Sequence, residues 1–537
     1  MIQTVEDMAV LCNPCRGVEA EDACVVLEGG PCLPCKERAA ISDQIKQLKA
    51  KYDTIGTARN AIHDPFIHKF PPEIASHIFR LSLPTLKNGE DDPKGVHGQW
   101  SIRKEWAVPL KLGSVCRKWR ELAWATPDLW TTLYIRIKPS MTPSTAESLP
   151  GLLREWLGRS GVLPLTIYFF PYDNHSDFVS EDEYLEEFTD CTESLDVTAG
   201  LVIDLLNLHS GRWRNLHLRT SPAILERFSC STEPKQLIGL ELADTTNEIN
   251  PSPKFIVEWE LNLTHLKLVS FLPTLINIRW DNITHATLSA VTDEEVVDFL
   301  RQATSLEYYS ALTYSDEPMI SIQTPILHPQ LRSLNLTTYN LKNLMDAINL
   351  PSLEEWTQNT CRENLPLAAM LSFLERSQCP LKVLNLDAGP GRSADFRSLL
   401  QALPSLEHLF LRLRGKFEST TVMDDILTRI FRSVPGSSDI LVNTPLESFL
   451  PNLQFMECWA DWTHAPFSWD RIPQLYLQGH RQSLTLKCAA SSLDISDETA
   501  LRLLQLVDEG FDLEIPEEIR NGDFLENFRN RIREEIL

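Results

Sequence analysis

The sequence predicts an α/β protein: a small helical module near the N-terminus, then a solenoid of parallel strands and helices. Three observations predict it. Short strand-like segments, several of the form L-x-x-L-x-L, recur from about residue 201 onward, with steps that run mostly from 20 to 28 residues. Between them lie stretches of helical periodicity, such as DEEVVDFLRQATS and LAAMLSFLERSQ. Ahead of both stands HDPFIHKFPPEIASHIFRLSLP, His63 to Pro84, a proline-led apolar helix with a second helical stretch about thirty residues further on. Alternation with period 2 marks strands and period 3.6 marks helices, so a regular exchange between them reads as strand–helix repeats. The competing architecture is an ordinary α/β domain with parallel strands.

Composition bounds the function. The 537 residues allow three or four domains or one long array, at ~150 residues per domain. A net charge of −24 argues against nucleic acid or an anionic membrane as the main partner, because both attract basic surfaces. No uninterrupted apolar run approaches the ~20 residues that span a bilayer. The opening MIQTVEDMAVLCNPC carries acids and no basic region, so no secretory signal is expected. Twelve cysteines are too sparse for a disulfide scaffold, and a cytoplasmic or nuclear setting is expected. In that setting the four Asn-x-Ser/Thr sites, at Asn174, Asn262, Asn282 and Asn335, read as chance.

The first element is a Cys-rich segment, 1–35. Cys12 and Cys15 form one C-x2-C pair and Cys32 and Cys35 another, with sixteen residues between the pairs. That spacing fits a closed, structural four-thiolate zinc site; the alternative is free thiols. The eight ligands of a RING are not visible. Residues 36–62 follow as a short amphipathic helix. Ile41, Ile45, Leu48, Tyr52 and Ile55 take the 4-3-4-3 step of a coiled-coil seam, though over only about two heptads. Packing of this helix back onto the next domain is the other reading.

Residues 63–135 hold the helical module. Pro71 and Pro72 suit a first helical turn, where their missing N–H groups are not needed, and Glu73 there complements the helix dipole. Ile74, Ile78 and Leu81 fall on one face, and Ala75, Phe79 and Leu83 widen it beyond what a surface helix needs. Leu86 to Glu105 reads as a polar loop. PLKLGSVCRKWRELAWATPDLWTTL then places Val115, Cys116, Trp119, Leu122 and Ala123 at helical spacing, with Leu129 and Trp130 as an apolar tail.

These two pieces in order resemble an F-box: a Phe70-Pro71-Pro72-Glu73-Ile74 start running through Ile78 and Phe79, and a closing Val115-Cys116-Arg117-Lys118-Trp119. The tail ATPDLWTTL is similar to the F-box-like proteins common in mushroom-forming fungi. The loop after Pro84 is an insertion relative to a minimal box. The resemblance implies that the module docks a Skp-type adaptor, which bridges to a cullin ubiquitin ligase. By that resemblance Pro71, Pro72, Ile74, Ile78, Phe79, Leu112, Val115, Cys116 and Trp119 would be adaptor contacts. The other reading is that these residues form a private helical core.

Residues 136–200 read as a connector and the start of the solenoid, and residues 201–500 carry its irregular repeats. Strand-like segments start at 215, 236, 263, 283, 306, 331, 353, 381, 406 and 453. Leu263-Leu266-Leu268, Leu331-Leu334-Leu336, Leu381-Leu384-Leu386 and Leu406-Leu409-Leu411 fit the leucine-rich-repeat signature. One such unit cannot bury its own leucines; a stack can. The asparagine usual after the strand is mostly absent, Asn340 being one candidate. In a solenoid the residues between the leucines line the open side. His217, Arg219, His265, Lys267, Asn335, Phe410 and Arg412 are therefore the candidate contacts for a target protein; a merely solvated strand face is the other reading. WADWTHAPFSW, 459–469, reads as a cap, with an interface hot spot as the other reading; residues 501–537 read as a helical cap, whose final helix, Glu517 to Leu537, is a cap or a docking helix.

No phosphate-binding loop, H-E-x-x-H, G-x-S-x-G or dinucleotide motif occurs, so an enzyme is not expected. The expected function is the substrate-recognition subunit of a Skp–cullin–F-box ubiquitin ligase. Its partners would be the adaptor, through it a cullin, and a target protein, with no nucleic acid, membrane or small-molecule substrate. The alternatives are a protein-binding scaffold without a ligase and an unrecognised enzyme.

Overall fold

The computed structural model describes residues 10–11, 25–26, 33–63, 70–83, 107–137, 141–170, 189–244, 255, 258–313, 325–389, 393–413, 418–432, 449–460, 469–470, 472–473, 484–489, 495–517 and 522–536. The chain divides into two compact units, residues 1–131 with 156–161, and residues 132–155 with 162–537.

The first unit is helical: α1 Leu33–His63, α2 Pro72–Leu81, α3 Val108–Val115 and α4 Arg117–Trp124, then a 3-10 turn Pro127–Trp130. Pro71 stands at the N-cap of α2 with φ −54°, which its ring fixes, and ψ 147°, the extended value favoured before Pro72, and Glu73 and Arg80 sit at the ends where the helix dipole favours them. Cys116 is extended, which separates α3 from α4, and its Sγ accepts the Trp119 backbone N–H at 3.4 Å. Phe79, Ala123, Leu129 and Trp130 form the core, with Leu83, Leu112, Trp119, Leu122 and Trp156 packed around it. Phe79 tilts against Trp119 at 4.9 Å and Trp130 meets Trp156 edge-on at 4.7 Å. The Trp130 indole N–H donates to the Ala123 carbonyl at 2.8 Å, so the one polar atom of this buried ring is satisfied.

The second unit is built on a fourteen-stranded sheet. Its strands are β1 Thr132–Arg136, β2 Leu165–Phe170, β3 Trp213–Thr220, β4 Gly239–Asp244, β5 His265–Val269, β6 His285–Val291 and β7 Tyr308–Thr313. β8 Ser333–Thr337, β9 Glu355–Asn364, β10 Val383–Gly389, β11 His408–Leu413, β12 Phe455–Ala460, β13 Thr485–Ala489 and β14 Leu513–Glu514 complete it. Every pairing is parallel, and each strand lies beside its neighbours in sequence. The order never reverses, as it does at the switch point of a doubly wound sheet. The fold is thus an α/β array of the leucine-rich-repeat-like kind, following N-terminal helices.

Helices alternate with these strands: α5 Pro143–Arg159, α6 Thr189–Asn207, α7 Asp293–Gln302, α8 Leu341–Ala347, α9 Leu367–Ser377, α10 Ser393–Gln401, α11 Glu418–Arg432 and α12 Asp497–Asp508, with α13 Phe524–Ile536 after β14. Successive parallel strands whose crossovers share one hand, as such connections do, have their connections on one face of the sheet. Ring contacts agree: Phe299 of α7 stacks on Tyr309 of β7 at 5.3 Å, Phe373 of α9 meets Trp356 of β9 at 5.3 Å, and Phe228 meets Phe169 of β2 at 5.4 Å.

The register turns the repeat spacing into a core. Leu216, Leu240, Leu266, Ala286, Tyr309, Leu334, Trp356, Leu384, Leu409, Met456 and Leu486 occupy equivalent positions on successive strands, and all are buried. A second buried row follows two residues later in each strand, from Leu218 and Leu242 to Cys458 and Cys488. Residues between the rows are half-buried on most strands, as the alternation in β1, β7 and β8 shows, with Tyr168 and Glu241 buried among them. Parallel sheets covered on both faces read as continuous apolar runs, so this alternation marks one covered and one open face.

Of the caps expected from sequence, residues 461–468 lie outside the described residues, while Trp459 is on β12 and Trp469 is buried. In α13, Leu525 and Phe528 turn inward. The Leu86–Glu105 loop is outside the described residues too. Among the described residues no helix is long and apolar enough to cross a membrane.

Candidate protein-interaction surfaces

The first surface is the outer face of α2. The wide apolar arc of this helix splits in two. Ala75 and Phe79 enter the core, Phe79 to 2 % exposure. Ile74 at 47 %, Ile78 at 37 % and Leu81 at 72 % exposure stay on the outside. Phe70, Leu110, Val115 and Trp124 add exposed apolar area elsewhere on the unit. A groove of about 280 Å³ lined by Phe70, Pro72, Ala75, Lys118, Glu121 and Leu122 runs between α2 and α4. Of the predicted adaptor contacts, Pro71, Pro72, Ile74, Ile78 and Val115 are exposed, and Leu112, Cys116 and Trp119 are half-buried. Phe79 is a core residue: its ring holds α2 against Trp119 and cannot also be an outward contact.

The second surface is the open face of the sheet. All seven predicted target contacts lie on it, in three adjacent columns: His265; then His217, Lys267, Asn335 and Phe410; then Arg219 and Arg412. The structure gathers His217, Arg219 and Lys267 around one residue that the sequence reading missed, Glu241 of β4. Its Oε2 lies 2.9 Å from His217 Nδ1, and its Oε1 lies 3.2 Å from Lys267 Nζ and 3.4 Å from Arg219 Nε. Burial alone would push the Glu241 carboxyl up. The His217 hydrogen bond and the charges of Lys267, His217 and Arg219 outweigh it and hold the carboxyl below the usual carboxylate range. The signal was present: in the aligned strands Glu241 takes the position of His217 and Lys267.

Aromatic rings flank this cluster. Tyr168 stacks on His217 at 4.2 Å and 3°, and burial, with the nearby Glu241 charge, pushes its hydroxyl well up, so it stays neutral. Tyr134 and Phe170 meet at 5.6 Å, and the Arg219 guanidinium lies 6.0 Å from the Phe170 ring. His265 stacks on His285 at 4.5 Å, and His285 on Tyr308 at 6.0 Å. Each imidazole Nδ1 is paired with the hydroxyl of the preceding threonine, Thr264 at 2.8 Å and Thr284 at 2.9 Å. Phe410 and Arg412 belong to a separate group further along: Phe410 is 5.3 Å from Phe455, and Arg412 is 4.0 Å from Asp387 and 5.7 Å from the Trp459 ring. Asn335 stands apart from both groups on β8.

The proposed zinc ligands Cys12, Cys15 and Cys32 lie outside the described residues, as does the Cys35 side chain at the start of α1. The seam residues of α1, Ile41, Ile45, Leu48, Tyr52 and Ile55, are all exposed. Compared with known proteins, the chain matches no family model. No curated protein matches it either.

Proposed function

We propose that this chain is a target-recognition subunit of a Skp–cullin–F-box type ubiquitin ligase. One observation carries the reading: α2 leaves Ile74, Ile78 and Leu81 exposed on a helix whose other apolar face is already buried. An exposed apolar stripe on a folded helical unit is an interface signal. Two of its three residues, Ile74 and Ile78, are among those that carry the F-box resemblance. Covering such side chains supplies ~1.5–3 kcal/mol each when burial is complete. In this reading the α2 face takes the adaptor and the open sheet face takes the target. The mechanism is proximity, which raises the local concentration of the target beside a ubiquitin-charged enzyme. The reading assigns no covalent chemistry to the chain's own residues.

The test is co-expression of the full chain with a Skp-type adaptor and a cullin, followed by affinity capture. A complex containing all three, lost in the Ile74→Asp and Ile78→Asp double variant, is the expected result. A folded chain that captures neither protein would leave a scaffold without a ligase.

A further inference from the structure

The open face of the sheet is divided in charge. Across β1 to β7 its aligned positions hold three fixed cations, Arg136, Arg219 and Lys267, and one carboxylate, Glu241. Across β8 to β14 the described open-face positions hold four carboxylates, Glu355, Asp387, Glu457 and Glu514, and two cations, Arg412 and Lys487. The net-positive half stands out in a chain whose net charge is −24. Its one carboxylate is also buried, whereas the side chains of Arg219 and Lys267 are 34 % and 39 % exposed. Solvent, and any docked partner, therefore meets the cations and not the anion. The rings of Tyr134, Phe170, His265 and Tyr308 lie on the same face.

We infer that β1 to β7 bind an extended, aspartate- and glutamate-rich segment of a partner protein, with an aromatic side chain among its acids. This rests on the proposed role of the sheet face as the target surface and names the chemistry of the target. Seven strands at ~4.8 Å span ~29 Å, which an extended segment of about nine residues matches at ~3.3 Å each. Carboxylates pair with Arg219 and Lys267, which are already oriented by Glu241. The partner's aromatic ring adds to the existing stack, where edge and offset contacts are favourable. Like charge excludes the same segment from β8 to β14, which sets its position along the sheet.

The experiment uses the full chain and three labelled ten-residue peptides: one rich in Asp and Glu around a tyrosine, one with Lys in place of each acid, and one with the acids replaced by Ser and the tyrosine phosphorylated. Binding is followed by anisotropy at low and moderate salt, and a photo-crosslinking version of each peptide is mapped by mass spectrometry. The acidic peptide is expected to bind at least ~10-fold tighter than the lysine peptide, weaken with salt, and crosslink to β1–β7. Lys267→Glu is expected to lose at least ~10-fold and Lys487→Glu less than ~2-fold. The crosslink map reads the site in the unmodified chain, so it holds even where Lys267→Glu unfolds. Preference for the lysine peptide, or binding of the phosphorylated peptide alone, overturns the inference but leaves the sheet as a partner surface. Absence of sheet crosslinks with every peptide overturns both.

Discussion

Glu241 is a carboxylate with 9 % of its side chain exposed, held by three basic groups. An ion so placed is costly without partners and contributes with them. Its folded pKa lies below its unfolded one, so the stability it contributes is present above the unfolded value and is lost as pH falls. Wild type should therefore exceed Glu241→Gln by about 1–2 kcal/mol at neutral pH, a modest value because Lys267 and Arg219 are partly solvated. The gap should shrink as pH drops below ~4.3, the ordinary glutamate value. Urea unfolding at several pH values reads this, and a gap that does not change with pH would contradict it. Phe79 and Ile78 make a second contrast. Phe79→Ala should cost ~3–5 kcal/mol, because it empties the core beside Trp119. Ile78→Asp, on the outer face, should cost less than ~1 kcal/mol. The sequence placed both residues on one wide apolar arc. Which part of that arc faces inward depends on the helix against which α2 packs, and single-chain periodicity does not contain that.

Among the elements, the strands that carry leucine at the two inward positions were legible, because each leucine needs the same neighbour above and below. β10 is an example: Leu384 and Leu386 are buried and Asn385 is not. Leu384→Ala should cost ~2–5 kcal/mol and Asn385→Ala within ~0.5 kcal/mol. Equal costs in thermal or urea unfolding would mean that the face assignment is wrong. β1, β2, β13 and β14 were not legible from the spacing. Ile135 and Phe169 replace leucine in the first two, and Cys488 in β13, and these satisfy burial without showing the pattern. β14 is two residues long and has no room for it. Helix α7 shows how local signals add to packing. Thr292 Oγ1 accepts the Glu295 N–H at 3.3 Å and Glu295 Oε2 accepts the Thr292 N–H at 2.7 Å, a capping box at the start of DEEVVDFLRQ. Thr292→Ala should cost about 1 kcal/mol in the same unfolding experiments.

For the chain as a unit, the strand–helix exchange and its parallel sense were readable because repeats bury a face only by stacking in order. The grouping of His217, Arg219 and Lys267 around Glu241 was not. It arises from strand register, which sets residues about twenty-five positions apart side by side. The exposed stripe of α2 and the basic half of the sheet face lie on different units, so they should be separable by mutation. Lys267→Glu should leave adaptor capture unchanged, and Ile74→Asp with Ile78→Asp should leave peptide binding unchanged. The most direct measurement is a titration of the purified full chain with a purified Skp-type adaptor, beside the Ile74→Asp and Ile78→Asp double variant, with folding checked by circular dichroism. Saturable one-to-one binding by wild type, weakened at least ~100-fold in the folded double variant, is the expected result. No binding by a folded wild type, or equal binding by both, would show that the exposed face of α2 is not an adaptor-docking surface.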